Sequence, residues 1–82
     1  MITRVQVKMA RAALGWGVRD LASKAGVSAN TVSRYENGAD ALGETLMKIQ
    51  RSFEDADVIF IDEDDEGPGV RLRKTEKRQT GR

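Results

Sequence analysis

The chain has no cysteine and no histidine among its 82 residues, and only one proline. Without cysteine there is no disulfide staple and no thiolate metal site. Without histidine, a zinc site would rest on carboxylates alone. General acid–base chemistry near neutral pH also loses its usual agent. No apolar run approaches the roughly 20 residues of a membrane span, and no signal-peptide pattern opens the chain. A soluble, cytoplasmic protein is expected. Eighty-two residues make one small domain with little core, a size at which oligomerisation is a common support.

The formal net charge is only +1, but it is unevenly spread. Residues 1–53 carry eight Lys/Arg and four Asp/Glu, a local charge of +4. Residues 54–66 carry eight acids and no base, a charge of −8. Residues 67–82 carry six bases and one acid, a charge of +5. Binding to a polyanion depends on the local field, so the near-zero total does not exclude nucleic acid.

Periodicity predicts a mainly helical fold of four short helices followed by a β hairpin. The first helix is expected over about residues 3–14, capped by Thr3, with Val5, Met9, Ala12 and Ala13 on its inner face. Gly15 ends it, and Trp16 folds back as a core anchor. Further helices are expected over about 18–25, 29–36 and 44–55, the last with Leu46, Ile49 and Phe53 on one stripe. Val58, Ile59, Phe60 and Ile61 in a row favour a strand. Residues 62–69 are turn-like, with Pro68 between two glycines. Val70 and Leu72 alternate with Arg71 and Arg73 as a second strand. The organisation expected is a domain over 1–57, a hairpin over 58–73 that serves dimerisation, and a disordered basic tail over 74–82.

The stretch LASKAGVSANTVSRYENG, residues 21–38, carries the most information. Leu21, Ala22 and Ala25 share a helical face, Gly26 breaks that helix, and Val27 plugs the turn. Ser28 is placed to cap the next helix, from which Val32 and Tyr35 turn inward. Two helices joined by a short Gly-containing turn form a helix-turn-helix. The outer face of its second helix is read as Ala29, Asn30, Ser33, Arg34 and Asn37, a polar or basic surface free of acids. A major groove accepts such a face.

With those residues in view, ARAALGWGVRDLASKAGVSANTVSRYENG resembles the DNA-binding domain of the Xre family, the phage repressor and Cro type. The likeness covers about residues 3–55. The segment FIDEDDEGPGVRLRK, residues 60–74, resembles small bacterial members in which a strand and a Gly-Pro-Gly-Val-Arg-Leu segment follow the fourth helix. The resemblance implies that Ala29, Asn30, Ser33 and Arg34 reach base edges and that Ser28, Thr31 and Asn37 touch phosphates. It also implies an ion pair between Arg11 and Glu36. Family members usually carry Ser or Thr before the second helix and Gln as its first residue; here Gly17 and Val18 stand there. Val18 lacks the amide that in the family binds a phosphate, which implies either a lower DNA affinity or a phosphate contact supplied by Arg19 instead.

Other chemistries find no support. The acidic run DEDDEG lacks the alternating ligands, central Gly and distal Glu of a calcium loop. Gly67-Pro68-Gly69 has no Gly-Lys-Ser/Thr after it and is no phosphate loop. Nothing assembles a nucleophile with a base, so no enzyme and no cofactor are expected. The expectation is a homodimeric, sequence-specific transcriptional regulator of double-stranded DNA. The alternative is a protein-interaction module on the same fold, an anti-activator or antitoxin-like partner protein.

Overall fold

A computed structural model describes residues 2–62 and 64–74. Of the basic tail expected from residue 74 onward, all but Lys74 lies outside the described residues. The elements in order are α1 (Arg4–Leu14), α2 (Val18–Ala25), α3 (Ala29–Glu36), α4 (Gly43–Asp55), β1 (Val58–Ile61) and β2 (Gly69–Leu72). The fold is mainly helical, with a two-stranded antiparallel hairpin at its end, as the patterning predicts.

Helix α1 begins in a full capping box. Thr3 Oγ1 accepts the Gln6 N–H at 3.2 Å, and Gln6 Oε1 accepts the Thr3 N–H at 3.0 Å. Its buried face differs from the expected one. Gln6, Val7 and Ala10 are buried and Leu14 packs against the core, whereas Val5 is 53 % exposed and Ala12 and Ala13 face solvent. Apolar residues surround this helix, so spacing alone allowed two faces. Gln6 decides between them. Its amide Nε2 donates to the carbonyls of Ile61 (2.9 Å) and Gly69 (3.0 Å), clamping the hairpin to α1. A polar side chain only 3 % exposed is tolerated because every polar atom finds a partner.

Helices α2 and α3 pack against each other, and Ala22 on α2 is buried at 6 % exposed. Gly26 holds the turn at φ +74°, where the N–H groups of Gly26 and Val27 both donate to the Ala22 carbonyl. A Cβ there meets no atom within 4 Å, so glycine is needed for backbone conformation rather than for space. Gly17 offers no cap to α2, but Asp20 reaches back to the Gly17 N–H at 2.7 Å. That is the reciprocal half of a capping box, and it makes up part of the missing Ser or Thr.

The core is built on Val7, Leu21, Val32, Ile49, Phe53 and Val58, all fully buried. Each such side chain contributes about 1.5–3 kcal/mol. Phe53 on α4 is its centre, stacked on Trp16 (centroids 5.5 Å apart) and edge-on to Phe60 (6.0 Å). The hairpin pairs Val58 with Leu72, Ile59 with Arg71, Phe60 with Val70 and Ile61 with Gly69. Strand β2 lies along α1 and β1 along α4, so Val58, Phe60 and Val70 close the core from that side.

Candidate nucleic-acid interface

Helix α3 is short, and its ends and flank are each fixed by a different device. At its N-terminus Ser28 Oγ accepts the Thr31 N–H at 3.0 Å, and the two hydroxyls lie 2.7 Å apart. At its C-terminus the Ala39 N–H donates to the Arg34 carbonyl and the Gly38 N–H to the Tyr35 carbonyl. This is a Schellman closure, with Gly38 left-handed at φ +112°. On its flank Arg11 Nε and Nη2 donate to the two oxygens of Glu36, both at 2.8 Å, while Arg11 Nη1 donates to the Trp16 carbonyl at 3.1 Å. Glu36 is 7 % exposed. The hydrogen bond to Glu36 holds the Arg11 guanidinium above its usual pKa, against the opposing effect of burial.

A second arginine reaches the same helix end. Arg4, seven residues before Arg11 and so on the same side of α1, donates from Nε to the Tyr35 carbonyl at 2.8 Å. Its Nη2 donates to the carbonyls of Gly38 and Ala39, both at 2.9 Å, and its guanidinium lies 4.8 Å from the Tyr35 ring centroid. Sequence reasoning missed this clasp. Its only local signal is the seven-residue spacing of two arginines, because carbonyl acceptors have no side-chain identity.

With Val32 and Tyr35 buried, the outward edge of α3 is Asn30, Arg34 and Asn37, all exposed, with Ser33 and Thr31 half-buried beside them. Neither Arg34 nor Arg19, exposed in the first turn of α2, forms an ion pair with another described residue. Ala29 is less available than expected, half-buried and packed against the core. The face is also not free of acids. A concavity lined by Asn30, Thr31 and Arg34 includes Asp40, from the turn after α3. Among the described residues no group of His, Cys, Asp and Glu is arranged to hold a metal ion. No helix there is long and apolar enough to cross a membrane.

The capped turn, the crossed helices and the polar outer edge define a helix-turn-helix. The Helix-turn-helix family model HTH_3 matches residues 7–54, more than half of the chain. The chain belongs to that family, the Xre type, a class of DNA-binding regulatory rather than catalytic domains. A search of the curated proteins finds no match.

Proposed function

We propose that the chain is a sequence-specific transcriptional regulator that lays α3 in the major groove of its operator, acting in the cytoplasm as a homodimeric repressor. The observation that carries this reading is the exposed edge Asn30–Arg34–Asn37 on a helix locked at both ends. Asn30 is suited to bidentate pairing with adenine, and Arg34 to guanine. Ser33 and the Ala29 methyl contribute at the margin of that face. Arg19, Ser28, Thr31 and Asn37 take phosphates. Arg34→Ala is expected to cost about 1–3 kcal/mol at the best site and to relax preference at one base pair. Arg19→Ala should weaken all sequences alike. A randomised-site selection compares them, and an unchanged preference for Arg34→Ala would remove that residue from base readout.

One such domain reads too few bases for a genome, and a two-fold dimer is the usual remedy. The hairpin is the element proposed for it. Its inner face closes the core, and Ile59 and Ile61 on the other face are half-buried, keeping part of their apolar surface in solvent. An apolar strand face beside an open edge invites a second chain. Truncation at Asp57 is a poor test, because it removes the buried Val58. Ile59→Thr with Ile61→Thr keeps the β-branching and removes apolar surface. Sedimentation should show a folded monomer with weakened operator binding; an undiminished dimer would exclude the hairpin face. The same partly open apolar face is what favours the second reading, a module that holds a protein partner. Affinity for DNA falls steeply with salt when phosphates are neutralised, so flat salt dependence would favour that reading.

A further inference from the structure

The turn after α3 holds a charge that works against the proposed DNA contact. Asp40 is fully exposed and lines the same concavity as Arg34 and Asn30. An acid there repels phosphate. It also offers Arg34 an intramolecular partner in place of a base. Arg4 stands against this. Its guanidinium lies 3.7 Å from Asp40 Oδ1, too long for a hydrogen bond but close enough to oppose the charge. The same nitrogen, Nη2, donates to the carbonyls of Gly38 and Ala39, the two residues before Asp40. Arg4 therefore fixes both the backbone that carries Asp40 and the field around its carboxylate.

Resting on the DNA-binding reading, we propose that Arg4 is a positioning residue for recognition: it holds the turn of Gly38 to Asp40 so that Asp40 does not engage Arg34. Loss of Arg4 frees the turn, and Asp40 then competes with DNA for Arg34. A lysine does not replace it, because one ammonium cannot span the Tyr35, Gly38 and Ala39 carbonyls in the fixed geometry of a guanidinium fork.

The test is a double-mutant cycle on the duplex that a randomised-site selection recovers with the unaltered protein. Arg4→Ala should weaken binding about tenfold at low salt, and Asp40→Asn should recover most of that loss. Asp40→Asn alone should tighten binding only about twofold, because Arg4 already opposes the charge. The melting temperature of each variant is followed alongside; if Arg4→Ala does not fold, Arg4→Gln takes its place in the cycle. A purely structural role for Arg4 predicts that Asp40→Asn has the same effect in both backgrounds, and that result overturns the proposal. The Arg34 Nε resonance, recorded without DNA, decides separately. It should move in Arg4→Ala and return in the double variant. If no duplex is recovered, the DNA reading falls, while an Arg34 resonance that does not move refutes the competition itself.

Discussion

Replacing Phe53 with alanine is expected to cost about 3–5 kcal/mol, the range for removing a buried aromatic ring. Marginal domains hold only about 5–15 kcal/mol in total, so much of the stability would go. Phe53 is fully buried and joins three parts of the chain: Trp16 stacks on one side, Phe60 meets it edge-on, and its own helix packs against α2. Its loss would therefore loosen the helical bundle and the hairpin together. A urea titration should show a single transition with a lowered midpoint, with Trp16 fluorescence and far-ultraviolet circular dichroism changing in step. Phe53→Leu keeps most of the volume and should cost less than about 1.5 kcal/mol, provided the neighbours repack. If Phe53→Ala instead unfolded the hairpin and left the helices at their original midpoint, Phe53 would not unite the two parts.

Local signals in this chain are strong where backbone conformation has one solution. Gly26 and Ser28 bound α2 and α3 from sequence, and the four apolar residues of β1 fall where strand propensity places them. Residues joined only by tertiary contact are another matter. The inner face of α1 was misread because Val5, Met9, Ala12 and Ala13 keep helical spacing as well as Val7, Ala10 and Leu14 do. The buried face is chosen by a glutamine, whose partners are the Thr3 amide and two carbonyls more than fifty residues away. Hydrophobic periodicity contains no such information. The Arg4 clasp was invisible for the same reason, its acceptors being main-chain atoms. Asp40 was missed differently. It lies past the end of α3 and enters the concavity only because the Gly38 turn folds back. At the candidate interface, the exposure of Asn30 and Arg34 was thus legible from the spacing of α3 itself, whereas the burial of Ala29 and the electrostatic setting supplied by neighbouring elements were not.

The ion pair between Arg11 and Glu36 should have the larger effect on α3. Arg11→Ala leaves a carboxylate that is 7 % exposed with no other described donor. A fully buried pair costs about 3–5 kcal/mol to break from one side, and an exposed pair about 0–1. The Arg11 side chain keeps 22 % of its exposure, so water relieves part of the penalty and a value of about 2–3 kcal/mol is expected. Glu36→Gln should be milder, because the amide oxygen still accepts one guanidinium N–H. Arg11 has a third bond, to the Trp16 carbonyl, which survives any change at Glu36. Replacing both residues with alanine should therefore cost less than the sum of the single changes, since the double variant buries no lone charge. A coupling of at least about 1 kcal/mol in a double-mutant cycle is the expected mark of such a pair. Strict additivity would mean that the pair, despite its two 2.8 Å bonds, does not hold α3 against α1. DNA binding offers the second readout. If the pair fixes the helix that carries Asn30 and Arg34, Arg11→Ala should weaken operator binding at temperatures where the variant is still folded. The base preference should stay unchanged, because the residues proposed to read bases keep their identities.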